Sequence, residues 1–237
     1  MEQKQILREE ASGSKRTTIF ERSLAPGERR ELAAEPEERL LYFTDGRGII
    51  SIYDPAPEGD LYELRQDIAV YMTPGIKHEI HNIGSTPLRW VDFAVSGGSA
   101  PAGELAWSAV TQRGVTVDKP AVGSGVAVTK VFDELSNPSK EEGFHLRVRD
   151  IWLRRPQKMA NAEVLTIMPG RATRRHTHYD TGETSYVLYG EGQFIWDDEV
   201  IPCGAGAVVS YPLGVQRQVV NTGRFPLTYV LIAEFLD

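Results

Sequence analysis

The chain repeats itself. The run Asn82-Ile-Gly-Ser-Thr-Pro-Leu-Arg-Trp-Val-Asp-Phe93 returns as Asn221-Thr-Gly-Arg-Phe-Pro-Leu-Thr-Tyr-Val-Leu-Ile232, 139 residues later, with Asn, Gly, Pro, Leu and Val unchanged. Upstream, Asp67–Gly75 falls on Gly206–Gly214 at the same spacing. Pro26-Gly27 precedes Pro169-Gly170 by 143 residues, and Gly46-Arg-Gly48 precedes Gly190-Glu-Gly192 by 144. The spacing falls from 144 to 139, so the first copy carries five extra residues beyond its Gly-x-Gly turn. The turn-rich run DPAPEGD at 54–60 is the natural place for them. A fixed-spacing repeat constrains architecture more than any local pattern. The chain is one structural unit written twice.

Each copy reads as short strands. TTIFERSL, RLLYF, GIISIYD, IAVYM and LRWVDFAV are rich in β-branched and aromatic residues, with Gly, Pro and Asp between them. The second copy supplies AEVLTIM, TSYVLY, QFIW, AVVSYP and PLTYVLIAEF. No stretch keeps an apolar period of 3.6 residues over three turns, so the class is all-β, as an antiparallel sandwich or barrel. Residues 96–145 differ, being Gly/Ser/Ala-rich and then charged; they read as a connection with embedded strands such as VAVTKVF.

With 41% apolar residues and 25% charged, each copy can fill a core. The net charge of −7 argues against a nucleic-acid partner, which needs clustered Lys and Arg. Cys203 stands alone, which excludes an intramolecular disulfide and a thiolate zinc site; beside Gly-Ala-Gly it reads as a buried, inert thiol. The polar N-terminal stretch has no signal-peptide core, and no window reaches the ~18 apolar residues of a membrane helix. A cytoplasmic protein without a membrane partner is expected.

Chemistry concentrates in the second copy. His176 and His178 are two residues apart, so an extended backbone points both rings to one face. Glu183, after a Tyr-Asp-Thr-Gly turn, can return a carboxylate to the same point. Two imidazoles and one carboxylate form an open triad suited to Fe(II), Mn(II), Zn(II) or Ni(II), with positions left for water, oxygen or substrate.

Residues 170–190 follow Gly-x5-His-x-His-x4-Glu-x6-Gly at every position, and thereby resemble the first motif of the cupin superfamily. Gly206, Pro212, Gly214 and Asn221 match the second motif, with Arg217 where the family usually has its third histidine. With the repeat, the chain is similar to the bicupins. The resemblance implies two tandem jelly-roll β-barrels (double-stranded β-helices): an N-terminal cupin at 1–98, a connection at 99–145 and a C-terminal cupin at 146–237. It also implies a homodimer.

The first copy keeps His78 at the second-motif ligand position and adds His81, but its first motif has lost the histidine pair. Counted from Pro26-Gly27 the equivalents are Ala33 and Glu35; counted back from Gly46 they are Leu32 and Ala34. Arg39 or Leu40 stands where the glutamate belongs, with Glu38 beside it. A structural or substrate-facing role for His78 is expected. His145, in the connection, reads as a surface or packing histidine.

For the second copy, the predicted ligands are His176, His178 and Glu183, with Gln216 a weaker fourth if the turn shifts by one residue. Arg217 is a permanent cation with a rigid donor fork for carboxylate or phosphate, and is predicted to hold an anionic substrate beside the metal. The alternative is an internal salt bridge from Arg217 to Glu183 in place of a metal. Tyr186 is predicted to take part in catalysis; Tyr189, Tyr211 and Trp196 are also close in sequence, and barrel aromatics are mostly core. The expected function is a metal-dependent enzyme acting on a small carboxylate, with Fe(II) dioxygenation preferred. A metal-free binding barrel, a C–N hydrolase and an isomerase are the alternatives, since the fold hosts many chemistries.

Overall fold

The computed structural model describes residues 2–7, 16–53, 60–97, 126–130, 138–139, 143–149, 158–179, 181–211 and 213–235, and every element among them is a strand. The first copy begins with β1 (Glu2–Leu7), β2 (Thr17–Leu24), β3 (Arg29–Leu32), β4 (Glu38–Asp45) and β5 (Arg47–Ile52). It continues with β6 (Asp60–Arg65), β7 (Ile68–Met72), β8 (His78–Asn82) and β9 (Leu88–Val95), and β10 (Val126–Lys130) follows. The second comprises β11 (Pro138–Ser139), β12 (Gly143–Arg149), β13 (Met159–Ile167), β14 (Thr181–Tyr189) and β15 (Glu191–Trp196). It ends with β16 (Glu199–Gly204), β17 (Val208–Tyr211), β18 (Arg217–Val220) and β19 (Leu227–Phe235).

Each half pairs one large sheet with one small sheet. The large sheets run β1-β2-β9-β4-β7-β10 and β11-β12-β13-β19-β14-β17; the small ones run β3-β8-β5-β6 and β16-β15-β18. All ladders are antiparallel, in the jelly-roll manner. The connection contributes β10 to the first large sheet and β11 to the second, and β12 spans its end, with His145 on that strand. Residues 98–125, 131–137 and all of the DPAPEGD run but its last residue, 54–59, lie outside the described residues.

The repeated motif residues make the same bonds twice. Asn82 Nδ2 donates to the carbonyls of Leu24 and Thr86, and Gly84 N donates to Asn82 Oδ1. Asn221 Nδ2 donates to the carbonyls of Ile167 and Phe225, and Gly223 N donates to Asn221 Oδ1. One buried asparagine thus satisfies three backbone groups in each barrel, which a side chain of another shape would leave unpaired. Gly46 (φ 87°) and Gly190 (φ 83°) turn at the same place. A Cβ on either would come 2.6 Å from the Pro87 carbonyl oxygen or 2.4 Å from that of Pro226, so only glycine fits.

Strand alternation builds three cores. Leu41, Phe43, Ile50, Val70, Ile80 and Trp90 fill the first barrel, and Ile167, Val187, Phe194, Val219 and Tyr229 fill the second, with Cys203 buried among them. The third core lies between the halves, where Leu40, Tyr42, Tyr71 and Phe93 meet Val164, Tyr186, Leu188 and Val230. Each such side chain, fully buried, contributes on the order of 1.5–3 kcal/mol. Polar bonds cross the same surface. Glu38 accepts from the backbone amides of Lys158 and Met159 and from Tyr71 Oη, and Thr17 Oγ1 donates to Glu234.

Candidate metal centre

Glu183, Ser185 and Val187 share the inward face of β14, while Thr184, Tyr186 and Leu188 point the other way. In the ladder with β17, Glu183 lies opposite Tyr211. The histidine segment is held against β18 by two isolated bridges, Ala172 to Val220 and His176 to Arg217. Four steps on the histidine side oppose three on β18, so this segment carries one extra residue, a bulge placed immediately before the site. In the first copy, Arg29–Leu32 pairs with His81–His78 step for step. The two countings of the sequence, 143 and 144, are therefore both correct, one on each side of the bulge.

The bridge sets His176 and Arg217 side by side; each accepts the other's backbone amide, at 3.1 and 2.9 Å. The rings of His176 and His178 have centroids 5.1 Å apart. His176 Nδ1 is 2.8 Å from the Arg174 carbonyl and His178 Nδ1 is 3.2 Å from Thr181 Oγ1. Those contacts orient both rings and leave Nε2 of each as the ligand nitrogen. One ligand atom from each of His176, His178 and Glu183 falls within 4.8 Å of the others, and among the described residues this is the one such group. Imidazole and carboxylate donors without a thiolate fit a divalent ion such as Mn, Fe, Zn or Ni.

Glu183 is 5% exposed, and burial raises its carboxyl from 4.5 to about 7, against the pull of Arg217. Arg217 is 2% exposed, with Nη2 2.9 Å from Glu183 Oε1 and its guanidinium stacked 5.1 Å over Tyr211. The contact is a buried ion pair, and Nε and Nη1 of the same guanidinium lack a hydrogen-bond partner. His178 Nε2 lies 3.4 Å from the same oxygen. Arg217 thus pairs with Glu183, and its Nε and Nη1 have no partner in the cavity wall. That cavity has a volume of about 370 Å³, with His176, His178, Glu183, Tyr211 and Arg217 in its wall.

Two predicted residues lie elsewhere. Tyr186 is on the opposite face of β14, packed edge-on against Phe93 with its hydroxyl donating to Glu21 Oε1; it belongs to the core between the halves. Gln216 is exposed, its amide bonded to Asp197 and its side-chain oxygen 3.5 Å from Arg175 Nη1, so it is turned away from the cluster. Tyr211 takes the aromatic position instead. It is buried in the cavity wall, and its hydroxyl, held in the neutral form by burial, has no protein partner. The signal for Tyr211 is its place opposite Glu183 in the sheet, which the sequence does not display.

The cupin domain family matches this chain twice, over residues 20–94 and 163–233. The chain is a cupin. Among solved structures it is similar to Bacillus subtilis oxalate decarboxylase, with a TM-score of 0.75 and 15% identity over 99% of this chain and 72% of that one. The formate complex of Lactobacillus farciminis oxalate decarboxylase gives a TM-score of 0.74 and 16% identity, over 98% and 80%. At such identity the likeness fixes the bicupin fold. No curated protein matches the chain.

The bicupin's first barrel shows what became of the corresponding place. The ladders put Leu32 opposite His78, as His176 is opposite Arg217, and Arg39 beside Ala94, as Glu183 is beside Ala233. Arg39, not Leu40, is therefore the counterpart of Glu183, and Glu38 faces the other half. Asp92 Oδ2 lies 2.6 Å from both Arg39 Nη1 and Arg22 Nε, and Glu35 also pairs with Arg39. Ion pairs within the barrel occupy the place of a ligand set. His78, 2% exposed, is held neutral by burial, its pKa lowered to about 4.

Proposed function

We propose that the second barrel is the active half of a metal-dependent enzyme acting on a small carboxylate. The observation that carries this reading is the buried Arg217 fork, short of acceptors, in one cavity with a two-histidine, one-carboxylate set. His176, His178 and Glu183 would hold the ion, which supplies Lewis acidity or, as Fe(II) or Mn(II), a redox centre. Arg217 binds the substrate carboxylate and fixes its orientation. The Tyr211 hydroxyl, a neutral donor, holds a second oxygen or a proton at its Oη. The solved relatives named as oxalate decarboxylases, one in a formate complex, support the substrate class. Fe(II)-dependent dioxygenation is the finer reading, and Mn(II)-dependent carbon–carbon cleavage is its competitor.

The Arg217–Glu183 pair favours one further reading, a metal-free barrel that binds an anion without turnover. Metal analysis of chelator-free protein, followed by anaerobic loading with Fe(II), Mn(II), Zn(II) or Ni(II), decides between them. The enzyme reading expects about one ion per chain, lost in His176→Ala. Absence of uptake for all four metals sinks it. Oxygen consumption by the Fe(II) form in a panel of small carboxylates then separates dioxygenation from cleavage.

A further inference from the structure

Glu183 has a single oxygen, Oε1, on which two claims converge. Arg217 Nη2 is 2.9 Å from it and His178 Nε2 is 3.4 Å from it. The oxygen that faces the histidine pair is therefore the one the guanidinium already neutralises. Arg217 is 2% exposed and Glu183 5%, so neither charge can turn to water when the other is taken away. A buried charge stripped of its partner is strongly disfavoured. A cation bound through the oxygen that faces His178 shares Oε1 with the guanidinium or takes it over, and one bound through Oε2 still draws charge from the carboxylate that the guanidinium pairs with. The guanidinium then needs another anion, and its Nε and Nη1 are already without hydrogen-bond acceptors in the wall of the same cavity.

We propose that Arg217 is a resident counter-ion that couples the two ligands of this site. Without metal it neutralises Glu183. When a metal ion takes that carboxylate, Arg217 is released to a carboxylate ligand, so each ligand raises the affinity for the other. The proposal rests on the metal-and-carboxylate reading of the site and adds to it an energetic link and a direction. The link is reciprocal, as any binding coupling must be. It differs from a mere substrate clamp, which would bind carboxylate equally well with or without metal.

The test uses the full chain and two simple probes, Zn(II) and formate, a weak chelator in solution. Zn(II) is titrated calorimetrically into metal-free protein, with and without saturating formate, and the same is done for Arg217→Ala and Arg217→Lys. For the wild type, formate is expected to tighten Zn(II) binding by about tenfold, inside the roughly 5–150-fold span usual for coupled sites. Arg217→Ala is expected to bind Zn(II) more tightly than wild type without formate, and to lose the formate effect. Arg217→Lys, which keeps the charge, is the check should the alanine variant fail to fold; it is expected to retain weak basal Zn(II) binding and a reduced shift. Zn(II) binding that formate leaves unchanged in wild type overturns the coupling while the metal site stands. A shift of equal size in Arg217→Ala also overturns it, because formate would then act through the metal alone. If Zn(II) does not bind, the same titrations are made with whichever of Mn(II), Fe(II) or Ni(II) does, and failure of the wild type to bind any of the four removes the underlying reading as well.

Discussion

At the residue scale, Arg39 and Glu183 occupy one position in two copies of a unit and carry opposite charge. Around Glu183 the barrel keeps histidines; around Arg39 it supplies Asp92, Glu35 and the neutral His78. His78 has a consequence for pH. Its pKa is about 4 in the fold against an ordinary 6.5, so between those values the unfolded chain binds a proton that the folded chain refuses. Stability from this group is complete above about pH 6.5 and is lost as pH falls towards 4, by a total on the order of 3 kcal/mol. Glu183 acts in the opposite sense in the metal-free protein. Its raised pKa stabilises the fold at low pH, and that contribution fades as pH rises through about 7. The comparison that isolates His78 is urea denaturation of wild type and His78→Asn across about pH 4–7. The variant is expected to lose less stability on acidification, and parallel profiles would refute the assignment.

At the element scale, the strands that the sequence displays are those of the large sheets together with β5 and β15, the central apolar strands of the small ones. β2, β7 and β9 are bounded as TTIFERSL, IAVYM and LRWVDFAV suggest, because a strand buried in the middle of a sheet must be apolar or β-branched. β3, β8 and β18 give no such signal. RREL, HEIHN and RQVV are short and carry charge, since one face of the small sheet meets solvent and the other meets the polar interior. The candidate site is legible in part. Its two histidines and glutamate come from spacing, and Arg217 from the resemblance to the second cupin motif. Tyr186 is misplaced by sequence reasoning because the face of β14 depends on register, and Gln216 because its side chain follows the turn outward. The ion pairs of the first barrel are hidden for a related reason: Arg22, Arg39 and Asp92 sit on three different strands. Their arrangement predicts that Asp92→Ala leaves two buried guanidiniums short of their shared anion and costs about 3–5 kcal/mol. A loss under about 1 kcal/mol, the value of an exposed pair, would show that water reaches them.

At the scale of the whole molecule, the halves share a core. Tyr42, Tyr71 and Phe93 of one half lie against Val164, Leu188 and Val230 of the other, and Glu38 is buried with backbone amides of the second half as its donors. Separating the barrels would expose that apolar surface and strand the carboxylate. The two halves are therefore expected to unfold in one transition, followed by coincident far-ultraviolet dichroism and tryptophan fluorescence. Trp90 reports on the first barrel and Trp196 on the second, so single-tryptophan variants at these positions read each half alone. Two resolved midpoints would contradict a shared core.

The asparagine clamps bear on how much the rest of each barrel is free to change. Asn82 and Asn221 tie their barrels together through bonds to backbone alone, whatever side chains line the lumen. One lumen carries the candidate metal site and the other a nest of salt links, on an unchanged chassis. For anyone wishing to graft a new activity onto this chain, the first barrel is the blank: its lumen can be rewritten while the His-His-Glu cluster of the second is left untouched.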